Sequence, residues 1–329
     1  MSGGTGRMTV RVSHLLKCVK VFALQSCRFL FKSRHGMDLK KYLTLRLSQV
    51  DKALNTLLPP KKTAPATMHD AMRYSIFAGG KRLRPILCLA SAESCGGTPE
   101  AALPLACAVE CIHTYSLIHD DLPCMDDDDL RRGRPTSHKV YGEGVAVLAG
   151  DALLTIAFEM VAKAKPSKRH PVSAMVAELA EAAGSRQLIA GQVMDIENEG
   201  KKFTPAKLQS IHERKTGALI AASLRLGAMS ANATPKQLQS VTDFGYALGL
   251  AFQIVDDILD ITQTSEQLGK SAGKDVKAGK ATYPALMGLP GAQKAAALWT
   301  KKAHDSLKPF GSKADRLHEL AAMMLERKS

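Results

Sequence analysis

The sequence predicts an all-α protein, a single-domain bundle of about ten helices with a short basic leader outside it. Three observations carry this reading. Apolar residues recur at helical spacing along most of the chain. There is no strand–helix alternation, no Gly-x-Gly-x-x-Gly turn and no Walker loop. Aromatic residues are 5% of the 329, too few for a sandwich or barrel, while an apolar share of 45% is ample for a core.

The elements follow in order. Leu43, Leu47, Val50, Leu54 and Leu57 mark the first helix, and Pro59-Pro60 ends it. Met68, Met72 and Ile76 mark a second, closed by Gly79-Gly80. Pro85 suits the first turn of a third, which Gly96-Gly97 breaks. Thr98 is a natural N-cap, with Pro99 at the first helical position, for a long helix to about Asp121. Further helices are expected over 146–164, 171–199, 205–230, 235–262 and 280–305, and a last one near 312–327. Neither an internal repeat nor a Ser/Gly-rich linker divides the chain, so residues 37–329 read as one domain.

Charge and cysteine usage narrow the function classes. The chain carries 45 Lys+Arg against 31 Asp+Glu, a net +14. Residues 1–36 hold seven Lys or Arg and no acid. Such a leader suits organelle import, but the preferred reading is an extension upstream of a start at Met37, with the protein cytoplasmic. No aromatic-interleaved basic stripe points to nucleic acid. No uncharged apolar run is long enough for a transmembrane helix. Seven cysteines without a Cys-x-x-Cys pair argue against a disulfide framework or zinc ribbon and for a reducing compartment.

Two acidic clusters carry the chemistry. Asp120-Asp121-Leu122-Pro123-Cys124-Met125-Asp126-Asp127-Asp128-Asp129 places six carboxylates within ten residues, and Asp256-Asp257-Ile258-Leu259-Asp260 forms the second cluster. Both follow strongly apolar helical stretches. Crowded carboxylates at the end of an apolar helix repel and favour protonation, a conflict that a divalent cation resolves. An all-oxygen set points to Mg²⁺, which keeps waters and bridges to phosphates. Asp256 and Asp260 are four apart and share a helix face. Asp120 and Asp126 share a face only if Pro123 breaks the helix, whereas Asp127 suits an unbroken one. Spacing alone does not choose between them. Basic residues complete the pattern: Lys81, Arg82 and Arg84 on a Gly-flanked turn, Arg131-Arg132 after the first cluster, Lys215 in a helical run, and Lys270, Lys274 and Lys280 after the second. Together they suit two diphosphates, because Arg grips oxyanions bidentately and Lys supplies point charge.

Residues 37–329 resemble the trans-isoprenyl diphosphate synthases of the polyprenyl synthetase family. The matching stretches are Phe77-Ala78-Gly79-Gly80-Lys81-Arg82-Leu83-Arg84-Pro85, Ser116-Leu117-Ile118-His119-Asp120-Asp121-Leu122-Pro123 and Arg131-Arg132-Gly133-Arg134-Pro135-Thr136. Gly150-Asp151-Ala152-Leu153-Leu154, Lys215-Thr216 and Phe252-Gln253-Ile254-Val255-Asp256-Asp257-Ile258-Leu259-Asp260 complete the match. The leader has no counterpart. The resemblance implies a homodimeric bundle around a deep apolar cavity with both acidic motifs at its mouth. It implies head-to-tail condensation of isopentenyl diphosphate with an allylic diphosphate, dimethylallyl or geranyl, assisted by about three Mg²⁺ ions. By the same resemblance Asp120, Asp126 and Asp256 hold the metal, supported by Asp121 and Asp260. Arg131, Lys215, Lys270 and Lys280 bind the allylic diphosphate. Lys81, Arg84, His113 and Arg132 bind isopentenyl diphosphate. Thr216 and Gln253 sit by the developing allylic cation, and Gln192 and Asp195 match a further element near the site. His119 is read as a packing residue rather than a base.

Rival readings are a class I terpene cyclase, a non-catalytic subunit of the same fold and a nucleic-acid binder. Each leaves either the intact second acidic motif or the second basic site unexplained. For product length, Tyr115 and Ser116 lie five and four residues before Asp120. Tyr115 is large enough to floor the cavity, and the resemblance is closest to bacterial-type farnesyl diphosphate synthases. A C15 product is therefore expected, with C20 geranylgeranyl diphosphate as the alternative.

Overall fold

A computed structural model describes residues 37–201, 204–262 and 281–326. The leader over residues 1–36 and the expected site residues Lys270 and Lys280 lie outside them. The described residues are mostly helical: α1 (Leu39–Leu57), α2 (Ala66–Ile76), α3 (Leu83–Ser94), α4 (Pro99–Asp120), α5 (Ser137–Tyr141) and α6 (Glu143–Ala162) come first. Then follow α7 (Val172–Ala183), α8 (Leu188–Glu197), α9 (Pro205–His212), α10 (Ala218–Ser230), α11 (Pro235–Thr262), α12 (Tyr283–Ser306) and α13 (Asp315–Leu325). A π turn (Glu213–Gly217) joins α9 to α10, and a 3-10 segment (Lys308–Ala314) joins α12 to α13. A two-residue antiparallel ribbon pairs β1 (Leu130–Arg131) with β2 (Arg134–Pro135).

The central helix is α4. Leu105, Ala106, Cys107, Ala108, Val109 and Ile112 are buried around its whole circumference, as expected of a helix enclosed on all sides. Thr98 caps it as expected, accepting from the Ala101 amide at 3.4 Å, with Pro99 at the first position. One apolar cluster joins α4 to α1, α2, α6 and α7 through Val50, Met72, Leu153, Met160 and Leu179. A second joins α3, α10, α11 and α13 through Leu87, Leu224, Phe244, Leu248 and Leu320. A third pins the start of α12 to α11 through Leu250, Ile254 and Tyr283. Helices α3 and α10 cross closely: a Cβ at Gly227 would fall 2.0 Å from the Cys88 carbonyl oxygen. By length and composition α4 and α6 are apolar enough to cross a membrane, but 67% and 44% of their apolar windows are buried inside the bundle.

Four local features depart from the expected elements; one is Gly288, whose φ of +70° and ψ of 162° break the helix expected over 280–305. The helix expected over 171–199 is two, because Gly184 turns extended at φ −84°, ψ −173° and ends α7. The helix expected over 205–230 carries the π turn. The ribbon between Leu130 and Pro135 was not expected, and its Arg132 and Gly133 adopt the positive φ of a tight turn.

Candidate active site

The first acidic cluster begins where α4 stops. Past Asp120 the chain coils back on itself: the Asp126 amide donates to the Asp120 carbonyl at 2.8 Å and the Asp127 amide to the Leu122 carbonyl at 3.1 Å. Asp127 takes the left-handed φ of +46° that this return requires. The helix therefore ends before Pro123, and Asp126 comes back beside Asp120. Burial pushes the Asp120 carboxyl up to about 6; Lys215 and Arg131 oppose the shift, while Asp126 and Asp121 add to it. Asp121 is buried, and Arg131 clamps it bidentately, Nε lying 2.7 and 2.9 Å from its two oxygens. Asp121 thus fixes the Arg131 guanidinium at the rim of the cluster, and Asp128 stands 3.7 Å from the same group.

Opposite this loop the π turn presents Lys215 and Thr216. Insertion of one residue into a helix aims side chains that a regular helix would direct elsewhere, and such bulges recur at functional sites. Lys215 Nζ donates to Asp195 Oδ2 on α8 at 2.8 Å. Helix α8 reaches the turn because Gly191 has no side chain: a Cβ there would fall 2.3 Å from the Lys215 amide nitrogen. On the other side Gly217 meets Gly249 of α11, where a Cβ would fall 2.7 Å from the Gly217 Cα. The turn thus stands between the first cluster and the helix that bears the second.

The second cluster divides its work. Asp256 and Gln253 are half-buried on α11. Asp257 is structural: its Oδ2 accepts from the Tyr283 amide at 2.9 Å, holding the start of α12. Asp260 is 3% exposed, and its Oδ2 has no hydrogen-bond partner among the described residues. The first cluster offers the raised carboxyl of Asp120 and its near neighbour Asp126, and the second offers the orphaned buried oxygen of Asp260; all are oxygen donors of the kind that suits Mg²⁺.

Cations gather on the other side of the first cluster. Arg84 Nη1 lies 3.3 Å from His113 Nε2, and Arg84 Nε is buried without a partner. Burial and then Arg84, Arg132, Arg131 and Arg82 hold His113 well below the usual histidine range, and burial lowers Arg84 as well. A crowded and buried cationic set of this kind is a candidate anion site. Arg132 Nη1 donates to the Gly79 carbonyl, and Gly80, at φ +123°, leaves room for its guanidinium. Lys81 is exposed on the same turn. Its neighbour Arg82, which the sequence pattern groups with the cations suited to diphosphate, is instead turned into the protein. It is 4% exposed and grips Asp51 (2.9 Å), Glu110 (2.8 Å) and the Ile76 carbonyl (2.6 Å). The available signal was Glu110, a lone acid in the middle of an apolar helix.

Behind Asp120, Tyr115 is 5% exposed with its hydroxyl unpartnered. Burial and then Asp120 push it up to about 12. Its ring meets His119 edge-on at 5.7 Å. His119 Nε2 donates to the Val147 carbonyl, 3.0 Å away, and the ring fits because Gly150 has no Cβ. It is a packing residue, as expected. Ser116 is half-buried and donates to the His113 carbonyl at 2.9 Å.

The polyprenyl synthetase family pattern matches residues 65–315. The chloroplastic large subunit 1 of a heterodimeric geranylgeranyl pyrophosphate synthase from Arabidopsis thaliana is 49% identical over 294 residues, spanning 88% of this chain and 78% of that one. A chloroplastic geranylgeranyl pyrophosphate synthase from Catharanthus roseus is 48% identical over 282 residues, 85% of this chain and 78% of that one. Among solved structures, a candidate farnesyl-diphosphate synthase from Marinomonas sp. superposes with a TM-score of 0.76 at 40% identity, covering 88% and 99% of the two chains. An FPP/GFPP synthase from Zymomonas mobilis gives 0.74 at 35% identity, covering 86% and 97%. With its acidic clusters, its cationic pocket and nearly its whole length accounted for, the chain belongs to the polyprenyl synthetase family and is a trans-isoprenyl diphosphate synthase, a prenyltransferase.

Proposed function

We propose that the protein condenses isopentenyl diphosphate with allylic diphosphates to give geranylgeranyl diphosphate. The observation that carries the two-diphosphate reading is the mutually repelling set of Arg84, His113 and Arg132 beside the acidic mouth, a pocket that an anion would stabilise. Lys81, Arg84, His113 and Arg132 would hold isopentenyl diphosphate. Arg131 and Lys215 would hold the allylic diphosphate, joined by Lys270 and Lys280 on the sequence pattern alone. Asp120, Asp126 and Asp256 would hold Mg²⁺, with Asp121 and Asp260 behind them, and the metal would withdraw charge from the leaving diphosphate as the C–O bond breaks. Thr216 and Gln253 would lie beside the allylic cation. The apolar walls of α4 would keep water from it until the isopentenyl double bond attacks.

The C20 product, rather than the C15 product expected from the sequence, rests on two supports. The two plant relatives named above, at 49% and 48% identity, and others at 47–51% are by name geranylgeranyl pyrophosphate synthases or large subunits of such a synthase. Helix geometry also favours a small residue, Ser116, below Asp120, and so a deeper cavity. At about 100° per residue, Ser116 lies about 40° from Asp120 on α4 and Tyr115 about 140° away, turned towards His119 and α6. A C15 product is favoured by the bulk of Tyr115 and by the farnesyl synthase named in the Marinomonas structure. Incubation of the Mg²⁺-loaded protein with labelled isopentenyl diphosphate and dimethylallyl, geranyl or farnesyl diphosphate, followed by chromatography of the dephosphorylated products, separates the two. Mainly C20 alcohol supports the proposal. C15 alone, with farnesyl diphosphate left unused, rejects it.

Two further proposals concern setting. The acid-free basic leader, taken with relatives whose names place them in the chloroplast, favours organelle import over the cytoplasm. The protein is proposed to be a homodimer. Ile189, Val193 and Ile196 form an exposed apolar stripe at i, i+4, i+7 on α8, and Val147 and Leu148 are exposed on α6.

A further inference from the structure

The loop after the first acidic cluster carries ligand-bearing groups that the condensation does not use. Asp127, Asp129 and His138 each bring one ligand atom to within 4.8 Å of the others. Metal ligands at ~2.0–2.1 Å from a Zn²⁺-sized ion stand roughly 3–4 Å apart, so small side-chain rotations close this set.

The hydrogen bonds around His138 fix which nitrogen is offered. Thr136 Oγ1 donates its proton to the Asp128 carbonyl at 2.8 Å. It therefore accepts from His138, whose Nδ1 lies 3.2 Å away and must carry the ring proton. Nε2 is left with a lone pair. His138 is only 7% exposed, and Nε2 has no hydrogen-bond partner among the described residues. A buried imidazole close to two carboxylates, with one N–H committed to an oxygen and the other nitrogen unpartnered, has the features of a metal-ligating histidine with its supporting hydrogen bond in place. The carboxylates are held from behind. The Asp127 amide bonds Leu122, and the Asp129 carbonyl accepts from the Thr136 amide at 3.0 Å. Asp129 Oδ1 pairs with Lys139 Nζ at 2.7 Å, which leaves Oδ2 for an ion.

We propose that Asp127, Asp129 and His138 form a second metal site, separate from the Asp120–Asp126–Asp256 set, that takes a divalent transition ion such as Zn²⁺. Mixed imidazole and carboxylate donors select such ions, whereas Mg²⁺ prefers oxygen alone. The ion staples Asp127 and Asp129 to α5 and so stiffens the loop that carries Arg131 and Arg132.

Co²⁺ is the probe, because its visible absorption reports both binding and donor set. The full chain is titrated with Co²⁺ in excess Mg²⁺, and bound metal is counted by mass spectrometry after gel filtration. One Co²⁺ per chain is expected. Asp127→Asn and His138→Gln should each weaken it by about 10–100-fold, and an Asp120→Asn/Asp256→Asn variant should retain it. Because His138 is buried, the exposed Asp127→Asn change tests the site without placing the fold at stake. No Co²⁺ bound in excess Mg²⁺, an affinity unmoved by both single variants, or loss in the Asp120/Asp256 variant would each overturn the assignment. That last outcome would place the ion in the magnesium set and leave the condensation reading untouched.

Discussion

Around Arg82 one guanidinium answers two buried or half-buried acids and a helix-end carbonyl. It sits at φ +48°, a conformation few side chains adopt, at the first residue before α3. Its three contacts tie α1, α2 and α4 to the turn that presents Lys81 and Arg84, so Arg82 positions the cationic pocket without facing it. Arg82→Met leaves Glu110 buried and unpaired, which costs about 3–5 kcal/mol. Urea denaturation should show that loss, and Arg82→Met/Glu110→Leu should recover much of it. Equal losses in the single and double variants would mean that the pair is not the source. At the acidic mouth the expectation is catalytic rather than structural. Asp120→Ala or Asp256→Ala should lower kcat by about 10²–10³ or more while far-UV circular dichroism stays helical. Near-normal turnover in either variant would remove that residue from the metal set.

Elements explain what was legible in the sequence and what was not. Thr98-Pro99 and the long apolar run after it determine α4 locally, so its start and end were readable. The return of Asp126 to Asp120 was not, because it depends on hydrogen bonds across Pro123 that spacing does not encode. The π turn was equally hidden: Lys215-Thr216-Gly217 has ordinary helical composition, and the bulge lies where α8 and α11 pack closely against it through Gly191 and Gly249. Acidic residues that looked alike also separate by element, Asp121 holding Arg131 and Asp257 holding α12. The joint between α12 and α13 gives a test at this scale. His304 and His318 stack at 4.9 Å with their Nδ1 atoms 2.6 Å apart. Burial and then His304 push His318 down to about 4, and burial also lowers His304. A histidine whose folded pKa lies below its unfolded value keeps full stability above pH 6.5 and loses it as the pH falls towards 4. The loss from His318 is on the order of 3 kcal/mol. Denaturation midpoints at pH 7, 5 and 4 should fall more steeply in the wild type than in His318→Gln; parallel curves would exclude the pair as the cause.

For the whole molecule, the proposed homodimer has its support in the apolar surface left outside the bundle. The buried clusters account for the inner faces of α4, α6 and α7. On α8, however, Val193 and Ile196 are each 46% exposed and Ile189 is 42% exposed, while Leu148 on α6 is 57% exposed. Single exposed apolar residues need no explanation, but three in register on one helix face do. In the proposed homodimer a second copy of the chain would cover this stripe, since in a two-fold interface each subunit offers the same patch. The stripe also lies on the helix whose Asp195 holds Lys215, so pairing would steady the site from behind. Val193→Glu/Ile196→Glu places charge in that interface while touching no described contact of the core. Light scattering coupled to size exclusion should give twice the chain mass of 35.3 kDa for the wild type and the single-chain mass for the variant, with unchanged helical circular dichroism. A wild type that runs as a single chain, or a variant that stays paired, would show that this stripe does not join two copies.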